Sequence, residues 1–239
     1  MATPRAIPSP DDFTVAEEPL SESSGPAGSG APAPPLPPCE IGDVATRFTD
    51  YADWDQTLLD TNLTLPADYE PPDLVPVTEA GIGAGDDFFA PGMPARLRDF
   101  VIPDLAAMAE AARAEGVTLY ALSAYRSYET QRRWFENYVA TVSEEAALMY
   151  SNRPGHSEHQ LGTTMDFAVD DGGLISDWLL ENAWRFGFVQ SYPEGKHAIA
   201  CIAPESWHFR YMGRQAARHI TDSGLTIREY LWPVQRVDG

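Results

Sequence analysis

Three things are scarce in this chain of 239 residues. No apolar run approaches the roughly 20 residues that a membrane-spanning helix requires, and the start lacks the charged-then-apolar order of a secretory signal. Positive charge is scarce too: 16 Lys and Arg stand against 36 Asp and Glu, a formal net charge of −20, and Lys196 is the only lysine. Nucleic acid and anionic lipid both select basic surfaces, so neither is an expected partner. The third scarcity is cysteine. Cys39 and Cys201 are too few for a disulfide-built scaffold; one bridge in an oxidising compartment and two unrelated thiols are both open.

What is abundant divides the chain. The 21 prolines and 18 glycines are too many for a uniform fold, while 44% apolar and 11% aromatic residues are those of a globular protein. Residues 1–38, ending in "SSGPAGSGAPAPPLPP", carry no apolar periodicity and read as a disordered linker. Residues 39–90 gain Tyr, Trp and Leu but stay proline-rich, which predicts an extended arm anchored on a domain by those side chains. Most of the acid excess lies in these first 90 residues, net −15, against −5 for the remainder. The main folded domain is expected over residues 91–239.

Within it the pattern alternates. Leu97, Val101, Leu105, Met108 and Ala112 are spaced near 3.6, predicting a helix interrupted or kinked near Pro103 and stopped by Gly116. "VTLYALSAY" reads as a buried strand, and Ser127 as the N-cap of an amphipathic helix running on through "SYETQRRWFENYVATVSEEAALMY". "TTMDFAV" and "SWHFRYMG" read as strands, "LISDWLLENAWRFGF" as a helix ending before Gly187, and "GRQAARHI" and "TIREYL" as two short helices. The fold class is therefore α+β, with a small, largely antiparallel sheet flanked by helices.

Chemistry concentrates in two places. "GHSEHQLGTTMD" holds His159 and Asp166, which reach one centre only if Gly162 permits a sharp turn. Taken alone it is half of a metal site or a polar turn leading into a strand. "ESWH" places Glu205 three residues before His208, where a carboxylate can act as general base on a water held by a metal. Together His159, Asp166 and His208 are three ligands for Zn²⁺ with a fourth position left for water, the arrangement of catalytic zinc. His156 reads as a solvated or supporting histidine, His197 and His219 as surface or packing residues, and Trp134, Phe135 and Tyr138 as core. Trp207 reads either as core or as a cover that shields the site from water, and a Cys201 ligand would instead make a closed structural set.

These residues resemble a known family. Ser157, His159, Gly162 and Asp166 fall on the S-x-H-x-x-G-x-A-x-D pattern of the zinc D-alanyl-D-alanine carboxypeptidases of the VanY and VanX type, and Glu205 to His208 on their E-x-W-H. "SAYRSYETQ", "FGFVQSYPEG" and "WHFRYMGRQAA" resemble further blocks, so the likeness spans roughly Asp60 to Leu231. Thr164 stands where the family has alanine and Ser206 where it has proline; neither is a ligand or the base.

The resemblance implies a hedgehog/DD-peptidase-like fold and one zinc ion per chain held by His159, Asp166 and His208. It implies Glu205 as base and proton shuttle, Arg126 as the group that binds the substrate carboxylate or stabilises the oxyanion, and Gln131 and Ser157 as substrate-site residues. The implied reaction is removal of the C-terminal D-Ala from peptidoglycan stem peptides by a monomer acting outside the cytoplasm, its signal or anchor not in this chain and without membrane contact of its own. The alternatives are an L,D-carboxypeptidase, an endolysin-type endopeptidase, or a silent zinc-binding module like the hedgehog domains. By position, the loops around Arg153 and Tyr192 are expected to form the cleft wall.

Overall fold

The computed structural model describes residues 35–170 and 172–235. The linker expected over residues 1–38 thus lies outside the described residues except for its last four.

Five strands form the main sheet: β1 (Gly83–Ala84), β2 (Tyr120–Ser123), β3 (Thr164–Phe167), β4 (Phe188–Gln190) and β5 (His208–Tyr211), in spatial order β4-β5-β3-β2-β1. Every neighbouring pair is antiparallel except the parallel edge pair β1 and β2. Both faces of the centre are covered. Because side chains alternate along a strand, Met165, Phe167, Phe209 and Tyr211 join one apolar core. Asp166, His208 and Arg210 take the opposite face, and they are buried too.

Helix α1 (Ile102–Ala114) supplies Leu105, Met108, Ala109 and Ala112 to that core, with Trp178 and Leu179 from α4 (Leu174–Asn182). The helix starts later than the apolar spacing predicts. Leu97 belongs to a strand, Arg96–Arg98, paired antiparallel with Leu74–Pro76, and is buried there. Pro103 causes no kink: it sits in the first turn, where a missing N–H costs nothing.

The long helix expected from Ser127 is two helices. Ser127 does cap α2 (Tyr128–Thr141), its Oγ accepting from the Thr130 N–H, but the helix ends at Thr141 and Ser143 caps α3 (Glu144–Tyr150) by accepting from Ala146. The chain closes with α5 (Arg214–Ser223) and α6 (Ile227–Gln235).

Residues 39–90 contain short paired strands and 3-10 turns. Val44–Ala45 pairs with Leu63–Thr64, and Asp86–Asp87 with Ala90–Pro94, so position 90 falls inside a hairpin. Leu58 and Leu63 pack with α5 and α6, while Leu59, Leu65 and Tyr69 pack on Leu161, two residues beyond His159. A disulfide joins Cys39 to Cys201, with Cα atoms 5.3 Å apart across a sequence separation of 162, so the bridge is the alternative realised.

Candidate metal centre and cleft

Sheet register brings the first two side chains together. His208 on β5 and Asp166 on β3 are direct cross-strand partners, which places their side chains on one face at neighbouring positions. His159 arrives from a 3-10 turn, Glu158–Leu161, that Gly162 terminates in the left-handed region at φ +70°. A Cβ on Gly162 would come within 2.9 Å of Leu74 Cδ2, so the sharp turn that the motif requires is there and depends on glycine. The carbonyl of His159 accepts from the Arg126 N–H, tying the turn to the end of β2.

One ligand atom from each of His159, Asp166 and His208 lies within 4.8 Å of the others, and all three residues are buried. His159 Nε2 is 3.2 Å from Asp166 Oδ2, and His208 Nδ1 is 3.1 Å from Asp166 Oδ1. Tetrahedral ligands around zinc stand about 3.4 Å apart. Two imidazoles and one carboxylate at such spacings fit a zinc ion with one position left over. Among the described residues no other trio of His, Cys, Asp or Glu side chains meets these conditions.

The charges around the centre are mutually adjusted. Burial works against the charge of Asp166, yet His159 and His208 outweigh it and hold the carboxyl well below its usual range. Burial likewise opposes charge on His208, but Asp166 and Glu158 overcome it and push the imidazole up to about 10. Burial moves His159 down. Glu205 Oε2 is 3.4 Å from His208 Nδ1, and burial pushes this carboxyl up to about 7. Its backbone is fixed from two sides: the N–H donates to Tyr192 O, and Gln190 donates to its carbonyl.

The centre opens into a cleft of about 380 Å³. Arg126, Gln131 and Ser157 line it with the ligands and Glu205. Arg126 is buried, its guanidinium 3.6 Å from the Phe89 ring centroid and 3.6 Å from Asp166 Oδ2, and Nη1 donates to Gln131 Oε1 at 2.7 Å. Its Nε has no protein partner. Gln131 in turn donates to the Asn152 carbonyl.

Several expectations need correction. Trp134 and Tyr138 line the cleft, and only Phe135 of that helical trio is buried. His156 is neither solvated nor a ligand: it is buried, with Nδ1 2.8 Å from the Asp60 carbonyl and Nε2 3.1 Å from Asp43 Oδ1. The loop before Arg153 does form cleft wall, through Tyr150, Ser151 and Asn152, while Arg153 itself turns to the arm and pairs with Asp43. Tyr192 is buried with its ring 4.8 Å from that of His208, behind the wall. Trp207, 39% exposed, does line the cleft.

Three contributors escape the motif reading: Phe89, Glu158 and Arg210. Phe89 comes from the hairpin and has no sequence signal. Glu158 lies inside the quoted "SEH" and contacts His208 Nε2 at 3.1 Å. Arg210 contacts Glu158 at 3.1 Å, and its spacing of two from His208 on a strand was a usable signal that both share a face.

A sheet whose central strands deliver an imidazole and a carboxylate to a buried third ligand, beside an acid and an arginine in a peptide-sized cleft, defines a metallopeptidase. Comparison with known proteins narrows the class. The family model described as "VanY: D-alanyl-D-alanine carboxypeptidase" matches residues 94–214. A D-alanyl-D-alanine carboxypeptidase of Enterococcus faecalis is 30% identical over 85% of this chain and 75% of its own length. The vancomycin-resistance D,D-pentapeptidase VanY, solved with Zn(II), is 32% identical, with a TM-score of 0.63 over 74% of this chain and 99% of that one. The LD-carboxypeptidase LdcB is 34% identical, with a TM-score of 0.62 over 72% and 83%. The chain belongs to the VanY D-alanyl-D-alanine carboxypeptidase family.

Proposed function

We propose that this protein is a zinc-dependent carboxypeptidase that removes the C-terminal D-Ala from peptidoglycan stem peptides, with His159, Asp166 and His208 as zinc ligands. The observation that carries the reading is the meeting of those three buried side chains beside Glu205 and Arg126 at one end of a cleft. A zinc ion held there supplies a water of lowered pKa and an electrophile for the scissile carbonyl. Glu205 takes the proton from the attacking water and returns it to the leaving amine. Arg126, pinned by Gln131 and Phe89 with Nε unspent, holds the substrate carboxylate or the developing oxyanion through its forked donors. Ser157 and Gln131 border the bound peptide.

Every residue of this set comes from one chain, which supports a site complete in a monomer with one zinc. The disulfide supports an oxidising, extracytoplasmic setting, and among the described residues no helix is long and apolar enough to cross a membrane.

The test is release of free D-alanine from a stem pentapeptide ending in D-Ala-D-Ala, with and without a zinc chelator. Chelator-sensitive release is expected. The similarity to LdcB favours a second reading, L,D-carboxypeptidase action, for which a tetrapeptide substrate would be cut and the pentapeptide left intact.

A further inference from the structure

The two ring nitrogens of His208 keep different company. Nδ1 faces the ligand cluster, 3.1 Å from Asp166 Oδ1 and 3.4 Å from Glu205 Oε2. Nε2 faces away from it, 3.1 Å from Glu158 Oε2. The second oxygen of Glu158 accepts from Arg210 Nη1 at 3.1 Å, and Arg210 Nη2 donates at 2.8 Å to the carbonyls of both Trp54 and Thr57. Arg210 is fully buried, and Glu158 and His208 are 3% exposed each. An unbroken line of polar contacts thus runs from the backbone of residues 54–57 through Arg210 and Glu158 to the far side of a ligand imidazole.

We propose that Glu158 is a positioning residue for the metal centre. It accepts the Nε2–H of His208, which orients the ring and leaves the Nδ1 lone pair for the metal, while Arg210 fixes Glu158. This inference rests on the metal reading above. A neutral imidazole carries one proton, and the partner of one nitrogen decides which nitrogen is free to ligate. The two histidines are set in opposite senses. His159 Nδ1 is 2.6 Å from the Ala124 carbonyl, which leaves Nε2 toward the centre, whereas Glu158 leaves Nδ1 of His208. A carboxylate isolated at this depth would pay a heavy desolvation cost. Arg210 offsets it, and so explains why a guanidinium is buried two residues beyond a ligand.

The experiment compares wild-type protein with Glu158→Gln and Glu158→Ala. Zinc affinity is measured by competition with a chromophoric chelator, the visible spectrum is recorded after Co(II) substitution, and circular dichroism confirms folding. Glu158→Ala is expected to weaken zinc binding about 10- to 100-fold and to shift the Co(II) bands. Glu158→Gln has one acceptor oxygen for two donors, and is expected to fall between Ala and wild type by both readouts. A purely structural ion pair would lower the unfolding midpoint but leave the affinity and Co(II) spectrum of folded protein unchanged. That result in either folded variant overturns the proposal, and Gln alone decides if Ala does not fold. A wild-type protein that binds neither zinc nor Co(II) is a different outcome: it overturns the metal reading itself.

Discussion

Single side chains carry the chemistry, and their replacement separates binding from turnover. Glu205→Ala leaves His159, Asp166 and His208 in place, so the variant is expected to bind zinc as wild type does while losing 10²-fold or more in kcat, roughly the size of a lost general base. Metal content by atomic absorption beside D-alanine release checks both halves. Gly162→Ala acts differently. The left-handed φ of +70° and the approach to Leu74 Cδ2 predict a loss of about 1–2 kcal/mol in stability, read from urea unfolding. Much of this site was legible because its ligands sit in two short motifs whose spacing reflects chemistry. Arg210 was harder to see, since a charged residue on a strand reads as solvent-facing. The alternation was legible, but the sequence holds no sign that the second face is covered.

Elements deliver those side chains, and their ends matter more than their middles. Helix α2 starts at the Ser127 cap and presents Gln131, whose N–H donates to Ser127 O and whose Oε1 receives Arg126. Ser127→Ala is expected to cost about 1 kcal/mol and to raise KM more than it lowers kcat, because a frayed first turn loosens Arg126 rather than Glu205. Steady-state kinetics on the pentapeptide test this. The caps at Ser127, Gly116 and Gly187 are local signals and could be read directly. Strand β1 and the Arg96–Arg98 ladder could not. Two or three residues are too few to show a period, and pairing with residues far off in the chain gives them their structure.

For the molecule as a whole, the question is what holds the arm and the domain as a unit. Buried leucines do part of it, Arg228 bridges the carbonyls of Pro37 and Ile199, and the Cys39–Cys201 disulfide closes a covalent loop across a separation of 162 residues. The double variant Cys39→Ser/Cys201→Ser is expected to lose roughly 2–5 kcal/mol of stability, measured by urea denaturation. It is expected to keep its zinc, because strand pairing holds His208 and Asp166, the Glu158–Leu161 turn holds His159, and none of the three is attached to the bridge.

The same bridge also imposes an order in time. Cys39 emerges 162 residues ahead of Cys201, and no other cysteine lies between them. Throughout that interval the intervening stretch offers the first thiol no partner. Correct oxidation therefore waits until Cys201 has followed, and any disulfide that Cys39 makes before then must be exchanged.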